Sequence, residues 1–248
     1  MKRNICGIMI DDLDKRSLYA EVSARIDSGT RTVVFTQNPI MVEDAKRDPE
    51  FMRALSESDY NIPDGSGIIL ASRLLKTPIP ERVCGIDLGE AMLAHAAAKG
   101  LGVFLYGGKE GVAKRAALML KSKLPSLKIC GVCHGYVGRE NEERLISAIN
   151  ASRASLLYVC TGAPRQEKWI TKNAQKLPHV LLFIGLGGSL DVWSGDVARA
   201  PKSLQSIGGE WAWRMAKSPS KIKNLPKLVS FGVSAVSKSL SSIGTMHR

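Results

Sequence analysis

Gly102-Val-Phe-Leu-Tyr-Gly-Gly-Lys-Glu-Gly-Val112 is the stretch that decides the fold. Its apolar run 103–106 leads directly into Gly107-Gly108-x-x-Gly111, and from 111 to 124 apolar residues recur at helical spacing. A short buried strand feeding a helix through a glycine turn is the repeating unit of a parallel sheet covered by helices. Outward from it the same alternation recurs. Strands are expected over 5–10, 32–36, 103–106, 128–132, 156–160 and 180–184. Helices are expected over 15–28, 39–55, 67–75, 86–99, 111–124, 140–151, 164–175 and 207–216. The class is therefore α/β, a Rossmann-like, mostly parallel sheet with helices on both faces.

The 248 residues suffice for a well-buried core, and 44% hydrophobic with 23% charged residues excludes a disordered chain. A net charge of +12 points to an anionic partner, whether nucleotide phosphate, nucleic acid or lipid headgroup. Residues 1–10 lack the long apolar region of a signal peptide, and no window approaches the roughly 18 apolar residues of a membrane span, so a cytoplasmic location is expected. The five cysteines sit mostly in or beside apolar runs and read as buried structural thiols. Cys130-Gly-Val-Cys133-His134 matches the C-x-x-C-H pattern of haem attachment and half of a zinc site, but no second Cys/His pair follows it. No metal or cofactor is expected.

Composition shifts after Pro201, which suggests a core over 1–201 and an appendage over 202–248. The appendage holds eight basic residues and one acidic residue, Glu210, interleaved with aliphatic side chains. A basic amphipathic segment suits an anionic membrane surface, and it equally suits a terminal helix docked on its own core or on a second subunit.

In a doubly wound sheet ligands gather where the strands end, and the unusual residues concentrate there. Gly107-Gly108 lets backbone approach a diphosphate at a helix N-terminus. Asp64, in Pro63-Asp64-Gly65, reads either as a helix cap or as a general base. Arg82 and Asp87 read as an ion pair at a helix start, or Arg82 as a phosphate ligand. Gln166 and Glu167 fall in the first turn of a helix. Asp191, after Gly187-Gly188, suits ribose hydroxyls or turn stabilisation.

Taken in order, Thr36-Gln-Asn38, Pro63-Asp64-Gly65-x-Gly67, Arg82-Val-x-Gly85-x-Asp87-Leu88, Tyr106-Gly107-Gly108, His134-Gly135-Tyr136, Gly162-Ala-Pro-Arg-Gln166-Glu167-x-Trp169, Gly185-x-Gly187-Gly188-x-x-Asp191-x-x-x-Gly195, Arg199-Ala-Pro201 and Glu210-Trp211-x-x-Arg214 resemble the WecG/TagA/CpsF family of bacterial glycosyltransferases. The resemblance runs from about Thr36 to Asn224. It implies a metal-independent, inverting transfer of N-acetylmannosamine from its UDP form to undecaprenyl-diphosphate-linked N-acetylglucosamine, a step of wall teichoic acid linkage assembly; relatives use other sugars. It further implies Asp64 as catalytic base, with Thr36, Asn38, Arg82 and Asp87 around acceptor and sugar. Gly107, Gly108, Tyr136, Gln166, Gly187 and Asp191 would face the UDP. The basic appendage would close over the pocket at the inner face of the membrane, with Arg214 and Lys221 on the diphosphate, and the chain would be a peripheral, sometimes oligomeric protein.

One departure matters. The family's Pro-x-Arg-x-x-Arg reads Pro219-Ser-Lys221-Ile-Lys223-Asn224 here, so a lysine lacks the bidentate fork and an asparagine lacks the charge. Rival readings are a relative using glucose, glucuronate or N-acetylmannosaminuronate, and a basic nucleotide- or RNA-binding module. The basic residues lie among aliphatic rather than aromatic neighbours, which disfavours nucleic acid as the partner.

Overall fold

A computed structural model of the chain describes residues 1–201, 203–204, 208–210, 212–213 and 219–244. In chain order its elements are β1 (Lys2–Ile5), β2 (Ile8–Asp11), α1 (Lys15–Asp27), β3 (Thr32–Gln37), α2 (Pro39–Ala45), α3 (Pro49–Ser56), β4 (Tyr60–Pro63), α4 (Ser66–Leu74), α5 (Gly85–Lys99) and β5 (Gly102–Gly107). There follow α6 (Val112–Lys123), β6 (Lys128–Cys133), α7 (Glu142–Ser152), β7 (Leu156–Cys160), α8 (Arg165–Asn173), β8 (Leu182–Gly185), α9 (Ser189–Trp193) and α10 (Leu225–Gly244).

Six strands form one parallel sheet in the order β4-β3-β8-β7-β5-β6. Side chains alternate across it, so the central strands supply both layers of core. Phe35, Phe104, Tyr106, Leu157, Val159 and Phe183 face the layer of α2, α3, α4, α7, α8 and α10. Val34, Val103, Leu105, Tyr158 and Ile184 face α1, α5, α6 and α9. All six strands point the same way, so every strand-to-helix loop opens on one rim.

Four expectations need correction. The strand expected over 5–10 is a hairpin, because Cys6 and Gly7 both take positive φ (54° and 107°) and Ile5 pairs with Ile8 across a two-residue turn. The helix expected over 39–55 is two helices. Asp48 caps the second, accepting from Phe51 N at 3.0 Å, and Pro49 sets its first turn. Tyr60–Pro63 was not foreseen as a strand; it lies on the edge of the sheet, where a terminal proline is tolerated. The stretch after Gly188 holds a short helix, α9. The helix expected over 207–216 lies largely outside the described residues.

The C-terminal helix α10 docks on α2 and α4. Phe231 and Ala235 are buried there. Polar contacts fix the register: Ser230 Oγ donates to Glu43 Oε2 at 2.7 Å, Lys227 pairs with Asp44 at 2.5 Å, Lys46 Nζ donates to Ser234 Oγ at 3.2 Å, and Ser239 Oγ donates to Leu74 O at 2.8 Å. Burial works against the charge on Glu43, but Lys46 and Ser230 outweigh it and hold its carboxyl below the usual range. Away from Phe231 and Ala235, α10 exposes Leu225, Val229, Val233, Val236 and Leu240 at helical spacing, the first two at the mouth of a cavity shared with α4. No helix among the described residues is long and apolar enough to cross a membrane.

Candidate active site

The loops at the rim are laced together by backbone. Gly108 N donates to Cys160 O (3.2 Å), Gly135 N to Gly108 O (2.8 Å), and Leu186 N to Val159 O (3.1 Å). Gly107 makes this possible. Its φ is +145°, and a Cβ there would run into the Cys160 carbonyl.

Asp64 follows the last residue of β4, its N–H donating to Gln37 O at 2.9 Å on the neighbouring strand. The cap position of α4 is Gly65, which makes no side-chain cap bond, so Asp64 does not serve as the cap. Arg82 holds its carboxylate instead. The guanidinium lies 3.6 Å from Asp64 Oδ1, its Nε donates to Asp64 O, and Nη2 bonds Glu210 Oε2 at 2.5 Å. Burial alone would lower the basicity of Arg82, but Glu210 and Asp64 reverse this and keep the cation in place. Glu210 is buried and 128 residues away in sequence, so no local signal announced the pair.

Asp87, in the first turn of α5, pairs with Arg199 at 2.7 Å and Lys15 at 3.5 Å. The ion pair expected between Arg82 and Asp87 is thus replaced by two separate pairs, each reaching into the C-terminal part of the chain. Thr36 is buried, donating to Gly185 O at 3.4 Å, and its methyl packs where any side chain on Gly85 would collide. Asn38 caps α2, its Oδ1 accepting from Ile40 N (3.0 Å) and Met41 N (3.2 Å). Burial, then the Asp64 carboxylate, push the Cys84 thiol up to about 12, which leaves it an uncharged neighbour rather than a nucleophile. A cavity of about 1070 Å³ opens at this end, with Asn38, Asp64, Arg82, Glu210 and Asn224 among its walls.

The other expected residues occupy the far half of the rim. Tyr136 is 65% exposed, with the Arg165 guanidinium over its ring at 5.7 Å. Arg165 is held by Gly135 O (2.9 Å) and Thr161 O (3.1 Å). Gly107, Gly108 and Gly187 all have positive φ and lie in the laced loops. Asp191 is in the first turn of α9, its carbonyl accepting from Val197 N at 3.0 Å.

Gln166 is buried, and both ends of its amide are engaged within the protein. Its Oε1 accepts from Gly162 N (3.2 Å) and Gly187 N (2.9 Å), tying the β7 and β8 loops, while Nε2 donates to Glu167 Oε1 at 2.7 Å. Glu167 orients that amide, since the reverse orientation would set an NH₂ against two N–H groups. It is fully buried, its Oε2 meets no hydrogen-bond partner among the described residues, and burial raises its carboxyl to about 7. Glu167 and Arg199 are the structural roles that sequence reasoning left unassigned.

Arg214 and the side chain of Lys221 lie outside the described residues. Among the described residues no three His, Cys, Asp or Glu side chains gather as a metal site. Cys130 is exposed, and His134 Nδ1 accepts from Tyr136 N at 3.2 Å.

Comparison with known proteins gives a consistent result. The family model described as Glycosyl transferase WecG/TagA/CpsF family matches residues 3–243. The chain is 33% identical over 213 residues to the N-acetylglucosaminyldiphosphoundecaprenol N-acetyl-beta-D-mannosaminyltransferase of Bacillus subtilis (strain 168), covering 85% of this chain and 81% of that protein. It is 32% identical over 208 residues to a Bacillus spizizenii protein of the same name, with 83% and 80% covered.

Proposed function

This chain belongs to the WecG/TagA/CpsF family of glycosyltransferases, and from that premise we propose that it transfers N-acetylmannosamine from UDP-N-acetylmannosamine to polyprenyl-diphosphate-linked N-acetylglucosamine, inverting the anomeric centre. The observation that carries the reading is the Asp64 carboxylate, held by Arg82 at 3.6 Å on the wall of the large cavity and not used as a helix cap.

In this reaction Asp64 accepts the proton of the acceptor hydroxyl as its oxygen bonds to the sugar's anomeric carbon. The bond from that carbon to the UDP oxygen breaks on the opposite face, and UDP leaves with the electron pair. The departing diphosphate needs positive charge and N–H donors. Candidates are the Gly107-Gly108 loop, with Gly111 at the N-cap of α6 and no side-chain cap there, and the basic residues of the C-terminal segment. Tyr136, braced by Arg165, offers a ring face to the uracil. Gln166, its amide engaged internally, would shape the UDP side by holding the Gly162 and Gly187 loops. Metal independence, a peripheral place on the cytoplasmic membrane face and the identity of the donor sugar belong to the same proposal. The exposed aliphatic stripe of α10, among lysines, supports the membrane part.

The test is UDP release by purified protein given a lipid-diphosphate N-acetylglucosamine acceptor and a panel of UDP-sugars, with and without EDTA. Release with UDP-N-acetylmannosamine that survives EDTA is expected. Release with another donor alone would overturn the sugar, and loss with EDTA would overturn metal independence.

A further inference from the structure

The cavity at Asp64 extends well past the reacting groups. It continues between α4 and α10, where Leu70 and Leu74 face Leu228, Val229, Phe231 and Ala235. At about 1070 Å³ it is at the upper edge of the roughly 300–1,000 Å³ usual for a small-molecule site. A nucleotide sugar and an acceptor sugar present chiefly hydroxyl, amide and phosphate groups, and neither has an aliphatic chain to cover such a wall. Yet Leu70 is 61%, Leu74 42% and Val229 59% exposed, so these side chains stand in water along a groove that begins at the carboxylate and guanidinium.

We propose that this groove between α4 and α10 binds the first isoprene units of the acceptor's polyprenyl tail, leaving the sugar-diphosphate head at Asp64 and Arg82. The proposal rests on the acceptor reading above and adds a lipid subsite to it. One continuous cavity changes from charged to aliphatic along its length, as does an amphiphile with a sugar-diphosphate head. The sequence balance agrees as well: residues 219–244 carry four lysines and no carboxylate, which favours an anionic lipid near this segment. Beyond the groove, Val233, Val236 and Leu240 on α10 continue an exposed apolar surface that a tail can follow into a bilayer.

Gly232 gives a clean test. It lines the groove, and a Cβ built on it meets nothing within 4 Å, so Gly232→Leu adds bulk to open space and replaces a poor helix former with a good one. Transfer is measured for acceptors that share the N-acetylglucosamine diphosphate head but carry a short or a long isoprenoid tail. The unmodified protein is expected to favour the long tail in kcat/KM, and Gly232→Leu to lower the long-to-short ratio about tenfold, equivalent to about 1.4 kcal/mol. Leu70→Asn, which alters a largely exposed side chain on the opposite wall, is expected to lower the same ratio, with thermal melting confirming that both variants fold. Transfer that is indifferent to tail length, or a ratio unmoved by either variant, overturns the groove and leaves the transferase reading standing. Loss of binding to phosphatidylglycerol vesicles in Gly232→Leu with an unchanged ratio would assign the groove to bilayer acyl chains, against the proposal. Absence of transfer with every acceptor would overturn the acceptor reading and this inference together.

Discussion

Replacing Glu167 with glutamine keeps the oxygen that accepts from Gln166 and removes the titrating proton. The carboxyl is fully buried, lacks a partner for Oε2 and titrates at about 7 instead of its ordinary 4.5. That difference penalises the ionised form in the folded state by about 3 kcal/mol. The sign follows from proton counts. Below pH 4.5 the group is protonated in both states and contributes nothing to the pH slope. Between 4.5 and about 7 the folded protein keeps a proton that the unfolded chain releases, so stability falls as pH rises. Above about 7 the penalty is complete. Urea unfolding followed by tryptophan fluorescence, at intervals from pH 4.5 to 8.5, is therefore expected to show the variant gaining about 3 kcal/mol on the native protein across that range. Carboxylates shifted downward, such as Asp27, Asp48 and Asp196, slope the other way but occur in both proteins and cancel in the difference. A difference that stays constant with pH would refute the buried, proton-bearing state of Glu167.

Asp64→Asn is expected to fold normally and to lower kcat by about 10²–10⁴-fold, read by UDP release; near-native turnover would remove Asp64 as the base. Arg82→Met withdraws the guanidinium from Glu210 and Asp64 and is expected to cost about 2 kcal/mol or more, while the double variant with Glu210→Gln recovers part of this in a denaturation cycle. Phe231→Ala removes the main apolar anchor of α10, worth about 3 kcal/mol. Faster proteolysis within the C-terminal segment, with the melting of the core unchanged, is the expected result.

The strands of the sheet's centre were legible because they are continuous apolar runs, buried on both faces. Tyr60-Asn-Ile-Pro63 was not, since two of its four residues disfavour strands and its place was secured by pairing with β3. The hairpin was hidden by a cysteine in a left-handed turn position, where asparagine or glycine is usual. Asp48-Pro49 did carry a readable stop, a cap residue followed by proline, but the helical period runs through it. At the site, the loops were legible from their glycines and ordered motifs. The partners were not: Arg82 with Glu210 and Asp87 with Arg199 join positions more than a hundred residues apart. Nor could sequence show that the Gln166 amide is consumed inside the protein, because the same residue type serves a loop tie or a ligand equally well.

The short helix α2 has a mechanical consequence. Asn38 caps one end of it on the wall of the reacting cavity, and Glu43 and Asp44 near its other end grip Ser230 and Lys227 of α10. Seven helical residues span only about 10 Å and bend little over that length. A displacement of α10 is therefore carried through these side-chain contacts and a stiff strut to the cavity wall at Asn38.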